Sequence, residues 1–443
     1  MVEKVLNNKL IFILIHIAFG YFGTLPFFPK FYGLACFVIP IVLIIVSSNR
    51  EEEAFLFASY IAGAEVFLRM SKGFFLYETG KYGVILFLVL GIFLGPFKQK
   101  FSVHFIFYIL LLLLGIVFTN VPEGESLRKN IVFNLSGPIV LGVSALYFYL
   151  RPISKKELMK GLFFMLLPLF SMITYLYFRT PDLEEIIFGG SAIAETSGGF
   201  GPNQVATAVG LGMFILAVFL LLKEKLSGFL FLDAFFLIYF TYRGLLTFSR
   251  GGIITAAISL ALFSFFFVLY KKMSFQILFK YILILGFFIF AIWVYTSNIT
   301  GGMLDNRYTG KNASGIQKKD ITTGRSDLLG YQFTNFLDNP LGIGVGNGKY
   351  ERMKSNRHIT AASHNEVGRL IEEHGLIGFI LLLILLIMPL INFFNGNNFQ
   401  KAFIISFYMI WFLTINHSAM RIALPGFIYG LSLINITNIQ KEE

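Results

Sequence analysis

The chain of 443 residues contains one cysteine, two tryptophans, six histidines and only 14% charged residues. Each scarcity excludes something. A lone cysteine, Cys36, forms no internal disulfide, and no CxxC or Cys/His ligand spacing accompanies it, so it reads as a small buried hydrophobe. His364, Glu372, Glu373 and His374 do not form an HExxH pattern, so the chain is read as having no metal site. A soluble fold needs about a quarter of its residues charged to wet its surface. The shortage of charge therefore rules out the two or three soluble domains that the length would accommodate at roughly 150 residues each.

What is abundant is apolar and bulky. Hydrophobic residues make up 56% of the chain, with 54 Phe and 20 Tyr, and the mean hydropathy is +0.73. These values predict an all-α polytopic membrane protein. The basic N-terminus, residues 1–9, leads into an apolar run with no A-x-A cleavage site, which predicts a retained first span and not a signal peptide. A span needs roughly 20 apolar residues, fewer where polar ends snorkel. About fourteen stretches qualify on that scale: 10–28, 31–47, 54–70, 82–97, 101–119, 131–150, 161–178, 204–222, 229–247, 252–270, 277–295, 377–394, 401–416 and 421–437. Single Pro and Gly residues inside them are tolerated in membrane helices.

Basic residues set the orientation. Alternate connections starting from the N-terminus hold about fifteen Lys and Arg, and the opposite short connections about half as many. The richer side is read as cytoplasmic, with both termini inside. Parity then places residues 296–376 outside, as the one soluble module. The expected organisation is a bundle of about eleven spans over 1–295, an outer loop module over 296–376, which the resemblance below makes periplasmic, and about three spans over 377–443. Within the module, residues through Asp320 read as polar loop. Helical periodicity follows at Ser326–Phe336, then a tight Gly-rich turn at Leu341–Gly348 and a short helix at His364–His374. The Gly-rich turn fails as a phosphate loop, because Lys349 is followed by Tyr350 and no Ser or Thr is placed to bind magnesium. A Gly-rich outer loop is expected over 180–203.

Ser363-His364-Asn365-Glu366 has the spacing of a capping box, with Ser363 as N-cap and His364 as the first helical residue. A histidine there meets the positive end of the helix, which disfavours imidazolium and welcomes an anion. A neutral histidine beside an anion site suits a general base in group transfer. Arg250, in Ser249-Arg250-Gly251-Gly252, and Arg243, seven residues earlier, lie at outer helix ends and would share a face if the helix continued. Arginine at membrane depth is costly, and its planar fork suits phosphate oxygens. His417 with Arg421 is a candidate pocket rim at an outer helix end. Glu65 and Arg69 form an i,i+4 pair that reads as structural.

Taken together, these residues resemble a known family. His364-Asn365, then nine residues, then Gly375-Leu376-Ile377-Gly378 is similar to the H-N-x9-G-x-x-G motif of bacterial O-antigen ligases. Gly201-Pro202-Asn203-Gln204, Ser249-Arg250-Gly251-Gly252 and Gly324-Arg325 leading to Asp338-Asn339-Pro340-Leu341-Gly342-Ile343-Gly344 resemble the wider O-antigen ligase and polymerase superfamily. The resemblance covers roughly 200–380. It implies a GT-C-like membrane glycosyltransferase of the bacterial inner membrane, working at the periplasmic face without metal or other cofactor, with an undecaprenyl-diphosphate-linked glycan as donor. It further implies His364 as the base that activates the acceptor hydroxyl and Arg250 as the group that holds the diphosphate. Arg243 is carried as a second catalytic arginine, with Arg325 its competitor. Arg325, Asn203, Asn365, His417 and Arg421 are taken as substrate-binding.

The expected reaction is transfer of the glycan to lipid A-core or a similar surface acceptor. The alternative is a polysaccharide polymerase that uses a second lipid-linked repeat as acceptor. A flippase or transporter for the same lipid would need charges along a central path, whereas the ionisable residues here cluster at span ends, Asp233 excepted. The net charge of +11 is topology to the extent of about +7 in the cytoplasmic connections. The loop 296–376 is nearly balanced, with ten Lys/Arg and eight Asp/Glu. The implied partners are therefore membrane lipids and a lipid diphosphate, not nucleic acid.

Overall fold

The structure is a computed structural model. It describes residues 9–96, 100–182, 186, 192–318, 324–354 and 363–437, with the backbone alone at 275, 277–282, 284 and 285. The apolar runs become helices because a backbone in hydrocarbon must satisfy its own N–H and C=O groups. In order they are α1 (Lys9–Phe22), α2 (Phe28–Ser47), α3 (Glu53–Met70), α4 (Thr79–Leu94), α5 (Val103–Leu114), α6 (Leu127–Phe148), α7 (Lys155–Arg179), α8 (Pro202–Leu221), α9 (Leu230–Leu246), α10 (Arg250–Lys271) and α11 (Phe275–Ile299). The loop module contributes α12 (Met303–Tyr308), α13 (Arg325–Asp338) and α14 (Gly348–Lys354), and the chain closes with α15 (Glu366–Asn395), α16 (Asn398–His417) and α17 (Ala423–Leu431). Seven of the described helices are long and apolar enough to cross a membrane: α2, α6, α7, α8, α10, α15 and α16. The protein is an all-α polytopic membrane protein.

The stretch 421–437, expected as a span, forms the 9-residue α17 and a strand, β2 (Asn435–Thr437). Nine residues rise only about 14 Å, half of a hydrocarbon core. Every residue of α17 is buried, so protein and not lipid covers it. It lies along α6 through glycines: Gly137 meets Met420, Gly426 meets Leu141, and Gly430 meets Ser144 and Phe148. Beyond it, β2 pairs in parallel with β1 (Pro152–Ser154), Ile436 opposite Ile153, and ties the C-terminal segment to the start of α7. Large side chains such as Val46, Phe287, Phe290 and Phe394 point outward, as a lipid-facing surface requires.

The loop module departs from expectation in detail. Residues 303–308 are helical, not loop, because Asp305 accepts from Trp293 Nε1 (2.6 Å) and from Ser297, which folds α12 back onto the end of α11. The Ser326–Phe336 periodicity becomes α13. The Gly-rich turn is a tight connection pinned between α5 and α15. Ile343 and Gly344 donate to the carbonyls of Glu372 and Glu373 (3.1 and 3.0 Å), and Val345 donates to Thr119 Oγ1 (2.9 Å). Of the expected loop 180–203, residues 183–185 and 187–191 lie outside the described residues, and a short 3-10 turn occupies Glu195–Ser197.

The expected short helix at 364–374 and the span from 377 form one element, α15, broken at Gly375 (φ 60°, ψ −136°). There the Pro340 carbonyl enters the helix and accepts from Leu376 N at 2.8 Å. A Cβ on Gly375 would collide with that carbonyl. Gly375→Ala therefore combines backbone strain of about 1–3 kcal/mol with a steric clash. We expect a lower thermal midpoint in detergent together with misplacement of the 364–374 half-helix; an unchanged midpoint would show that the kink is not required.

Candidate functional site

The sequence stretches that resemble the superfamily meet at the end of the bundle that carries the loop module. The helical run breaks between Arg243 and Arg250 at Phe248, whose φ is +53°, so the two arginines do not share a helix. Arg250 starts α10, and Ser249 before it donates to Asn203 Oδ1 at the start of α8 (2.8 Å). The two helices touch backbone to backbone: Gly252 lies against the Ala206 carbonyl and Gly210 against that of Gly252. Only small residues permit so close an approach. The ring of His417, ending α16, covers Gly251, with Nδ1 donating to the Leu413 carbonyl (2.9 Å) and Nε2 3.2 Å from Thr207 Oγ1.

His364 sits on a strap, Ser363–Asn365, laid across the end of α16. The helix does not begin at Ser363, contrary to the capping-box spacing. Asn365 is the N-cap, accepting from Gly368 N (2.8 Å), and Glu366 is the first helical residue. Tertiary bonds hold the strap out of the helix. Arg421 Nη2 donates to the Ser363 carbonyl (3.1 Å), Ala419 N donates to the His364 carbonyl (3.0 Å), and Gln332 Nε2 donates to Ser363 Oγ (3.0 Å). Asn365 is engaged in the fold on both sides of its amide, since its Nδ2 also donates to Asn416 Oδ1 (2.9 Å). Glu366 turns to Arg369 instead of back to the strap. The backbone of this segment is pinned while the His364 side chain is exposed.

Arg421 owes its place to the Glu65–Arg69 pair. Arg69 bonds Glu65 (2.6 Å) and donates to the Arg421 carbonyl (2.9 Å), while Glu65 accepts from Ala423 N (2.5 Å). The Arg421 guanidinium lies 4.3 Å over the Phe133 ring and donates to Asn134 Oδ1 (3.3 Å). Its pKa is lowered to about 10, by burial first and by Arg369 second.

The electrostatics of this end are cationic. Burial and then the neighbouring Arg250 depress Arg325; burial and then Arg250 and Arg325 depress Arg307; burial and then Arg307 and Arg250 depress Lys318. Positive groups that depress one another create a region favourable to an anion. Arg307, unremarked in the sequence, is brought there by α12, and its Nε donates to the Phe248 carbonyl (2.9 Å) at the turn that presents Arg250. Nothing in its local sequence context signals this, because its neighbours 248–250 are almost sixty residues away in the chain. The His364 imidazole is likewise held below its ordinary value. Local desolvation comes first, although part of the ring reaches solvent, and the charges of Arg325 and Arg421 follow. His417 lies within electrostatic reach of Arg325 and His364.

Arg250, Arg325, His364, His417, Arg421 and Asn203 are thus gathered at one end of the bundle, joined by Arg307. Arg243 is placed differently. It is buried on α9 beside Tyr239 and Tyr242, and its Nη2 donates to Thr180 Oγ1 (2.6 Å).

A polytopic helical membrane protein with arginines grouped around an accessible histidine is the class that fold and site define. Residues 234–383 match the family model described as O-Antigen ligase, a segment that includes Arg250, Arg307, Arg325 and His364. This segment of the chain is thus similar to the O-antigen ligase and polymerase superfamily, which supports the resemblance carried by the motifs. No curated protein and no solved structure matches the chain.

Proposed function

We propose that the protein is a metal-independent glycosyltransferase of the bacterial inner membrane that transfers a glycan from undecaprenyl diphosphate to lipid A-core, or a similar surface acceptor, at the periplasmic face. The observation that carries this reading is the convergence of His364 with Arg250, Arg307 and Arg325 inside the matched segment. His364, neutral at working pH, takes the proton of the acceptor hydroxyl. The acceptor oxygen bonds to the anomeric carbon as the bond from that carbon to the diphosphate oxygen breaks. Charge develops on the departing undecaprenyl diphosphate, where preorganised arginines stabilise it. The activated bond arrives with the lipid, so no nucleotide or other cofactor is consumed. Asn203 and His417 support the Arg250 turn, Arg421 and Asn365 hold the strap, and Arg243, set against Thr180 and two tyrosines, has no part in this step.

The same machinery serves a polymerase that uses a second lipid-linked repeat. Purified protein supplied with the lipid-linked glycan and, separately, with lipid A-core or further repeat units decides between them. Transfer onto lipid A-core supports ligation, and chain growth without it overturns that assignment. The pH profile tests the base. The depressed histidine predicts kcat/KM falling only below the ordinary histidine range, as imidazolium forms. Arg325→Gln removes a positive neighbour, so the acid limb moves to higher pH; a limb that stays in place would separate Arg325 from His364.

A further inference from the structure

A recess adjoins the strap, and Arg250 is not among the residues of its wall. It is a cavity of about 930 Å3, within the range of small-molecule sites, and its wall includes Ser363 and Arg421. Most of the rest comes from the first half of the chain, which lies outside the matched segment: the α3–α4 connection and the start of α6. The α14 region closes it from the loop module. Tyr77, Tyr82 and Tyr350 supply aromatic faces, and Asn130 and Asn134 supply amides. Glu78 also lines it. One oxygen, Oε2, is held by Lys81 (2.7 Å), Arg69 (3.2 Å) and Ser136 (3.3 Å), while the buried Oε1 makes no hydrogen bond among the described residues. The aromatic faces and amides suit the apolar ring faces and hydroxyls of a sugar, and the buried Glu78 carboxylate fixes the wall behind them.

The position of His364 gives this cavity a role. His364 follows directly on Ser363 of the cavity wall, and Arg421 of that wall donates to the Ser363 carbonyl (3.1 Å). A general base must stand where the nucleophile approaches, opposite the leaving group. The lip formed by Phe75, Leu76 and Tyr77 is strongly exposed and apolar, as suits a membrane interface. Resting on the transferase reading above, we infer that this cavity is the acceptor site and that it holds the terminal sugars of a membrane-anchored glycan, with Tyr77 and Tyr82 as its contacts. Acceptor specificity then resides in the first half of the chain and donor handling in the second.

Cys36 is the only cysteine and is buried, so a cysteine introduced at the cavity can be labelled selectively. Arg128, exposed at the mouth, is the position of choice. The full chain carrying Arg128→Cys is treated with a thiol reagent in the presence of purified lipid A-core or of the lipid-linked repeat unit. Slower labelling by either supports the inference, and the one that protects identifies the acceptor. Tyr77→Ala should raise the concentration of that acceptor needed for half-maximal transfer about tenfold, with kcat at saturation retained. If neither compound slows labelling, or Tyr77→Ala leaves the acceptor dependence unchanged in a turning-over enzyme, the cavity is not the acceptor site. Protection that persists while His364→Ala turns over normally would instead leave the cavity standing and remove the transferase mechanism.

Discussion

His364→Ala is expected to cut transfer by about 10²- to 10⁴-fold, the usual contribution of a positioned general base. The protein should stay folded and inserted. Among the described residues the imidazole makes no hydrogen bond, whereas the strap is held through the Ser363 and His364 carbonyls by Arg421 and Ala419. A single-turnover assay with lipid-linked donor, run beside a thermal melt, separates chemistry from stability. Loss of rate with an unchanged melt is the expected result. Wild-type turnover would remove His364 from the mechanism. The loss should also abolish the acid limb of the pH profile, which a purely structural histidine would leave in place.

Arg250→Ala is expected to cost about 10²- to 10³-fold, the range for deleting one preorganised group that stabilises developing charge. Arg250→Lys should recover only part of this, because a point charge cannot span two phosphate oxygens as a guanidinium does. The loss should couple to that of Arg325→Ala in a double-mutant cycle, since residues serving one anion are not additive. Arg243→Ala provides the contrast. Placed against Thr180 and two tyrosines, it should behave additively with Arg250→Ala; strong coupling would bring it into the same anion site. Release of undecaprenyl diphosphate from a labelled donor, followed in time, measures each of these directly.

Much of this protein is legible from its sequence because hydrocarbon leaves few choices. An apolar run of sufficient length must be a helix, so helices appear at the expected places from α1 to α11 and at α15 and α16 without tertiary information, whereas α12 and α14, which are not apolar runs, were not expected. The H-N-x9-G spacing likewise located His364 and Gly375, and Gly375 proves to be the point where the Pro340 carbonyl enters α15. Local rules failed where distant groups outbid them. The Ser363 spacing reads as an N-cap, yet Arg421, Ala419 and Gln332 hold that segment out of the helix, and Asn365 caps it instead.

By itself the sequence determined that the chain is a membrane-embedded helical bundle, roughly where its long apolar helices run, and where its charge is scarce. Only the tertiary structure decided which of those charges meet. Arg307 reaches Phe248 because Asp305 turns α12 back on α11, and Arg250 parts from Arg243 because the chain turns at Phe248. Spacing along a chain reports neighbours on one helix. A site assembled from several helix ends depends on how those helices pack, and that is set by contacts such as Gly252 on Ala206, which no local pattern records.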